Sequence, residues 1–177
     1  MDSRTRRRPH HFVEPVEVDA SRDDGGPRVN IVLVEPEIPQ NTGTIVRLAA
    51  ATACPLHLVE PLGFELSERA IRRAGLDYWQ HASVATYPSY QALRDAYPDA
   101  RFWLTSKKAT RLYTSVEYRP DDFLVFGRET TGLPEEMIAA DPERCVGIPM
   151  FGPVRSLNLA NAVSVVVYEA LRQLRGF

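Results

Sequence analysis

The polar residues at the start of the last helical pattern are the first that could do chemistry. Ser156, Asn158 and Asn161 open a segment whose apolar residues recur at three- and four-residue steps as far as Leu174. Hydroxyl and amide groups in such a place either cap the helix, by accepting from its first N–H groups, or contact a ligand held there. Taken alone, the pattern favours a cap formed by Ser156 or Asn158.

Three further residues have types suited to binding or catalysis. Arg47 lies in an apolar helical pattern that begins near Asn41. Its guanidinium either reaches solvent along its apolar stem or binds a phosphate or a developing oxyanion. Gly127 and Glu129 follow a buried-strand pattern, where glycine lets a ligand approach the backbone and a carboxylate can accept from a ribose hydroxyl. An ordinary turn explains both residues equally well. The loop is neither G-x-G-x-x-G nor a P-loop.

Composition limits the class of protein. A chain of 177 residues with 44% hydrophobic content can bury one good core, and its formal net charge of -2 excludes a strongly basic nucleic-acid binder. Local basic clusters, such as residues 4–8, are more often solvated surface than contacts for RNA. Cys54 and Cys145 are far apart among apolar neighbours, which predicts reduced thiols in a cytoplasmic protein.

The sequence predicts neither a metal site nor a membrane partner. The four histidines, which are His10, His11, His57 and His81, have no metal-ligand spacing. The chain contains no apolar run of about eighteen residues, the length that a membrane span needs.

Strand and helix patterns alternate along the chain after a charged leader. Residues 1–28 are rich in charge, proline and glycine, and we expect a disordered leader there, followed by one domain over residues 29–177. Helices are predicted to begin near Asn41, Ser67, Ser89, Pro134 and Ser156. The predicted strands are "VNIVLV", "LHLV", "ASVATY", "RFWLT", "DDFLVFG" and "CVGIPM". This alternation predicts an α/β fold whose mainly parallel sheet has helices on both faces.

In such a sheet, ligands bind beyond the carboxyl ends of the strands. Four loops rich in Gly, Pro, Ser, Thr or Asn follow predicted strands, at residues 35–43, 105–108, 127–132 and 149–156. The sequence therefore predicts a ligand site where these loops meet.

Three segments together resemble a known superfamily. "NTGTIVR", "FGRETTGLP" and "IPM…RSLNLANAVSVVVYE", in this order and at this spacing, resemble the motifs of the SPOUT RNA methyltransferases. Within it, "NIVLVEPEIPQNTG" and "RRAGLDYW" resemble the TrmL-type enzymes, which methylate the ribose 2′-hydroxyl at the tRNA wobble position. The resemblance runs from about Val29 to Leu174.

The resemblance implies a fold, a reaction and partners. It implies a C-terminal trefoil knot (the SPOUT α/β knot), whereas general connection rules predict an unknotted sheet. It implies a homodimer that transfers a methyl group from S-adenosylmethionine to the wobble cytidine or uridine in the tRNA anticodon loop. A SPOUT enzyme for another tRNA or rRNA ribose, and a non-catalytic RNA-binding module, are the alternatives.

The resemblance also assigns residues. The expected catalytic residues are Arg47, Asn41, Ser156 and Asn158. The expected donor-binding residues are Leu104, Thr105, Gly127, Glu129, Ile148, Met150, Ser156, Leu157 and Asn158. Because arginine stays protonated at neutral pH, we expect Arg47 to fix the target phosphate and stabilise the alkoxide rather than to act as a base. The segment "FGPV" and the residues Arg128 and Thr131 depart from the usual motifs.

Overall fold

The computed structural model describes residues 25–65 and 78–177. In these ranges the chain forms a six-stranded sheet in which every pairing is parallel. The strands are β1 (Asn30–Val34), β2 (Leu56–Val59), β3 (Val84–Tyr87), β4 (Phe102–Thr105), β5 (Phe123–Phe126) and β6 (Cys145–Val146). Their β-branched and aromatic residues suit a pleated surface that is buried on both faces.

The strand order is β3-β2-β1-β5-β4-β6. The chain extends the sheet from β1 towards β3, then crosses to β4 on the other side and returns to insert β5 between β1 and β4. Ile31 of β1 consequently pairs with Leu56 of β2 and with Leu124 of β5. The order therefore changes direction beside β1 and β5, which is where open parallel sheets bind ligands.

Four helices connect or follow these strands: α1 (Pro39–Thr52), α2 (Tyr90–Ala96), α3 (Glu135–Ala140) and α4 (Leu159–Arg175). Pro39 suits the first position of α1 because its missing N–H would have no helical partner there. Ser89 caps α2 by accepting from the Ala92 N–H at 3.1 Å. The last helix, α4, ends at Gly176, whose φ of 72° is the left-handed geometry that glycine adopts easily.

The helices cover both faces of the sheet. One core cluster joins one face to α1 and α4, through residues such as Ile45, Val46, Val163 and Val167. The other cluster joins the opposite face to α2 and α3, and includes Leu93. The predicted α/β fold, with a mainly parallel sheet between two helical layers, is confirmed.

Several predicted boundaries are wrong. The last helix begins at Leu159, and Ser156 lies outside it, because the side chain of Asn158 is the one that caps the first turn. The strand predicted over residues 145–150 ends at Val146. The predicted strand at 82–87 forms β3 but is only half-buried, since it lies at the sheet edge.

Two predictions fall wholly or largely outside the described residues. These are the helix near Ser67 and the leader over residues 1–28. Within the described ranges, none of the helices combines the length and the apolar character that a membrane crossing requires.

Candidate active site

A cavity of about 190 Å³ opens beyond the carboxyl ends of β4 and β5. The loops that follow β4, β5 and β6 form its walls, and the first turn of α4 closes one side. The residues predicted to bind the donor that line this cavity are Thr105, Gly127, Glu129, Ile148, Met150, Ser156 and Leu157. The structure therefore brings together residues that are widely separated in sequence, at the sheet edge where ligands bind.

The glycine loop after β5 is held in a tight reversal. Arg128 and Gly132 exchange backbone hydrogen bonds of 3.2 and 2.9 Å, and Gly132 has a φ of 75°. A Cβ on Gly127 would overlap the Gly132 carbonyl and the Leu133 nitrogen. Glycine is thus required at position 127 by the close approach of its own loop, and the resulting turn carries Glu129 towards α1.

Glu129 ties this loop to the start of α1. Its carboxylate accepts from the backbone N–H groups of Glu37 and Ile38, at 2.8 and 3.1 Å. It also accepts from Asn41 Nδ2 at 3.1 Å. A carboxylate at a helix N-terminus satisfies N–H groups that have no helical partner and complements the helix dipole. Glu129 therefore joins β5 to α1 as well as lining the cavity.

Asn41 links Glu129 to the start of the last helix. Its Oδ1 accepts from Asn158 Nδ2 at 2.9 Å, and Asn158 Oδ1 accepts from the Ala160 N–H at 2.9 Å and the Asn161 N–H at 3.4 Å. Asn41 is 9% exposed, so its amide has few alternatives to these partners. We call the chain of contacts through Glu129, Asn41 and Asn158 the amide network.

Further contacts join the loop after β5 to the loop after β1. Glu37, whose N–H donates to Glu129, accepts through its own carboxylate from the N–H and hydroxyl of Thr130, at 3.1 and 2.8 Å. Arg128 also forms an ion pair with Glu35. The loops after β1 and β5 are therefore held together by reciprocal contacts, which the sequence alone did not predict.

Arg47 lies apart from the amide network, on the exposed side of α1. Its guanidinium carbon is 4.7 Å from the centre of the Tyr78 ring, a cation–π distance. The described residues contain no ion pair to Arg47, so the edge of its guanidinium is available to an anion. Tyr78 is a contact that the sequence patterns did not reveal.

The lining of the cavity suits a ligand with both apolar and polar parts. Phe126, Leu133 and Ile148 supply apolar surface. The hydroxyl of Thr105 is buried with no hydrogen-bond partner among the described residues, although Thr105 lines the cavity. A buried hydroxyl without a partner is unfavourable, and a polar group of a ligand would satisfy it.

Other candidates lie outside the cavity lining. Leu104 is buried within β4, and Asn158 acts through its contacts with Asn41 and α4. Asn161 is exposed on α4. Among the described residues, no group of His, Cys, Asp or Glu side chains is arranged to hold a metal ion.

Comparison with known proteins identifies the family. Residues 28–168 match the SpoU rRNA Methylase family. The tRNA (cytidine(34)-2'-O)-methyltransferase of Escherichia coli strain K12 is 48% identical over 147 residues, which are 82% of this chain and 94% of that protein. The protein of the same description from Saccharophagus degradans is 50% identical over 146 residues, or 82% of this chain and 95% of its own.

Solved structures have the same fold. One from work on the 2-OH methylation of C/U34 on tRNA has a TM-score of 0.80 and 47% identity, covering 86% of this chain and 100% of its own. An AdoMet-bound rRNA methyltransferase from Sinorhizobium meliloti has a TM-score of 0.72 and 27% identity, covering 85% of this chain and 59% of its own. On these matches of sequence and structure, the chain belongs to the SpoU rRNA methylase family.

Proposed function

We propose that the protein transfers a methyl group from S-adenosylmethionine to the ribose 2′-hydroxyl of the wobble nucleotide, cytidine or uridine, in a tRNA anticodon loop. The observation that carries this proposal is the amide network beside the cavity, which joins Glu129, Asn41 and Asn158 across three elements. The relatives described as tRNA (cytidine(34)-2'-O)-methyltransferases support the same reaction and substrate.

The lining of the cavity supports binding of the methyl donor there. Its apolar walls suit the faces of an adenine, while the Thr105 hydroxyl, which has no partner among the described residues, and the loop backbone at Gly127 offer hydrogen bonds to polar edges. Thr105, Gly127, Ile148, Met150 and Leu157 would hold the donor there. When bound, S-adenosylmethionine supplies a methyl group activated by the sulfonium centre.

Arg47 is the residue that we assign to the acceptor side. Arg47 is exposed and its guanidinium carbon lies over the Tyr78 ring, which leaves the guanidinium edge for the phosphate of the target nucleotide. Held there, it would also stabilise the negative charge that develops on the ribose oxygen, while water or a phosphate oxygen takes the proton.

Asn41 and Asn158 hold the start of α1 and the start of α4 in a fixed relation. Arg47 is on α1, and Ser156 and Leu157 precede α4 and line the cavity. The amide network would therefore keep the acceptor-binding guanidinium aligned with the donor cavity, since a small displacement of either reactant slows the transfer strongly.

We further propose a homodimer, a C-terminal trefoil knot and a cytoplasmic location. Exposed apolar side chains on α4 (Val165 and Tyr168) and at the cap of α1 (Ile38) support a second copy packed against these helices. The free, buried thiols of Cys54 and Cys145 support a reducing compartment.

Labelled S-adenosylmethionine and unmodified tRNA transcripts test the reaction. After incubation, nuclease digestion and nucleoside mapping would locate the methyl group. We expect the label on the 2′-oxygen of the wobble nucleoside. Label on another ribose would overturn the choice of nucleotide, whereas donor binding without transfer to any tRNA or rRNA would favour a binding module over an enzyme.

A further inference from the structure

A second cavity adjoins the first. It encloses about 360 Å³ and lies between the loop after β4 and the segment after β6. Ile148 and Met150 line both cavities and so form the wall between them. Lys107 and Arg155 also line both, which places two cations where the cavities meet.

Backbone pairing builds the floor of this second cavity. Gly147 donates its N–H to the Arg111 carbonyl at 2.8 Å and accepts from the Tyr113 N–H at 3.1 Å. A Cβ on Gly147 would lie 3.0 Å from the Ser106 carbonyl oxygen, so the two segments are closely apposed. The cavity is therefore part of the fold rather than a gap between independent loops.

Its two cations differ from the other basic residues nearby. Lys108 pairs with Glu135, Arg111 with Glu143 and Arg128 with Glu35. In contrast, Lys107 and Arg155 are exposed and form no ion pair or hydrogen bond with any residue that the structure describes. Two cations at one place, with no carboxylate partner in the described ranges, complement an anionic ligand.

The rest of the lining is apolar. Ala109, Leu112 and Pro149 line this cavity and not the first, and Leu112 is 46% exposed. An apolar surface next to two cations matches a nucleotide, whose base buries a flat apolar face while its phosphate requires positive charge.

We propose that this second cavity binds a nucleotide that flanks the target in the RNA strand, with its base against Leu112 and Pro149 and its phosphate held by Lys107 and Arg155. This subsite rests on the proposed function, since it assumes an RNA whose target ribose faces the donor cavity. It extends the contact with RNA beyond Arg47 to the loops after β4 and β6, so that the RNA strand would cross the wall formed by Ile148 and Met150.

The same two cations also line the donor cavity, where the carboxylate of S-adenosylmethionine is a competing anion. An RNA phosphate and the donor carboxylate would affect the salt dependence of RNA binding differently. Each phosphate contact adds about 0.7 to the slope of log Kd against log salt for a single strand. A contact to the donor carboxylate changes donor affinity and leaves the RNA slope as it was.

The test uses the full chain and an unmodified tRNA transcript. Its dissociation constant is measured over a series of KCl concentrations for the wild type and for Lys107→Ala/Arg155→Ala. Because the two cations hold one phosphate, we expect the slope to fall by about 0.7 and the affinity at 100 mM KCl to fall about tenfold. Arg111→Ala is the matched control, because Arg111 is a nearby cation already paired with Glu143.

A third variant tests the apolar part of the subsite. Leu112→Ser removes apolar surface without removing charge, so RNA affinity should fall about threefold to tenfold with the slope unchanged. Circular dichroism of each variant checks that the fold is intact.

The outcomes separate the subsite from the proposed reaction. If the double variant has the same slope as Arg111→Ala, the proposal is overturned, and a weakened donor affinity in that case assigns the cations to the donor carboxylate. Equal RNA affinity for Leu112→Ser and the wild type would overturn the placement of the base. Failure of the wild-type protein to methylate tRNA would overturn the proposed function, and it is measured independently of these slopes.

Discussion

Asn158 Nδ2 donates a hydrogen bond of 2.9 Å to Asn41 Oδ1, although 117 residues separate them in the chain. The oxygen of the same Asn158 amide caps α4. One side chain therefore fixes the start of the last helix and attaches it to the start of the first. Asn41 Nδ2 donates to Glu129 Oε1 at 3.1 Å, so the oxygen and the nitrogen of the Asn41 amide each have a defined partner.

The substitution Asn41→Asp tests this arrangement. It replaces the Nδ2 donor by an oxygen that faces the Glu129 carboxylate, so a hydrogen bond becomes a repulsion. We expect stability to fall by about 1–3 kcal/mol and kcat/KM for tRNA to fall at least about tenfold. Thermal unfolding and initial rates measure the two effects. Gln40→Glu, which adds an exposed carboxylate to the same helical turn, is the control and should leave both near the wild-type values.

Glu129→Gln tests the link between β5 and α1. The carboxylate accepts from three N–H groups, and an amide in its place would turn its own N–H₂ towards one or more of them. We expect a loss of about 1–3 kcal/mol in the free energy of unfolding and a weaker donor complex. Chemical denaturation and donor titration measure these. Glu136→Gln, at an exposed position on α3, should change neither, and equal stability of the two variants would contradict the structural role of Glu129.

We expect methyl transfer to depend on the guanidinium of Arg47 and on the ring of Tyr78. Arg47→Lys keeps the charge and removes the planar fork, so we expect kcat to fall about a hundredfold with little change in donor affinity. Tyr78→Phe keeps the ring on which the guanidinium lies and should stay within about twofold of the wild type, whereas Tyr78→Leu should lose about tenfold. Single-turnover kinetics with saturating donor measures the step. Near-normal turnover by Arg47→Lys would show that the fork geometry is not needed.

His57 should make stability depend on pH. It is 3% exposed in β2, lies 3.1 Å from Asn30 Oδ1 and 3.3 Å from the Tyr87 hydroxyl, and burial lowers its pKa from 6.5 to about 4. The unfolded chain therefore binds the proton more readily than the folded one does. Stability from this residue is complete above about pH 6.5 and is lost as the pH falls towards 4.

The expected loss between pH 7 and pH 5 is about 2 kcal/mol. Urea denaturation of the wild type and of His57→Gln at both pH values measures it. The variant should be less stable at pH 7, and its stability should change less between the two pH values. An identical pH dependence in both proteins would exclude His57 as the cause.

Much of the fold could be predicted from sequence because it depends on local periodicity. Runs such as "VNIVLV" and "FLVF" identify buried parallel strands, and Ser89 and Pro134 mark the starts of the helices that follow β3 and β5. The sequence predicts the start of α4 three residues too early, because Ser156 and Asn158 are both good caps and the pattern does not distinguish which of them accepts from the first turn.

The contacts of the candidate site could not be predicted in this way. Periodicity gives no information on which side chains meet across the 88 residues between Asn41 and Glu129. The motif resemblance selected residues that line the cavity, yet it did not indicate that Glu37 and Thr130 join the loops, or that Tyr78 lies against Arg47. Those contacts depend on tertiary structure, which brings distant loops to the same edge of the sheet.

The position of β5 between β1 and β4 determines when the site can exist during folding. On a ribosome, β1 and α1 emerge first, but β5 and the Glu129 loop come about 90 residues later, and Asn158 follows later still. Contacts between such distant parts of a chain form late, because closing long loops is entropically unfavourable. A nascent chain that has not yet released α4 therefore contains Arg47 without the amide network. Binding that depends on the complete site would begin only when synthesis of the domain is nearly finished.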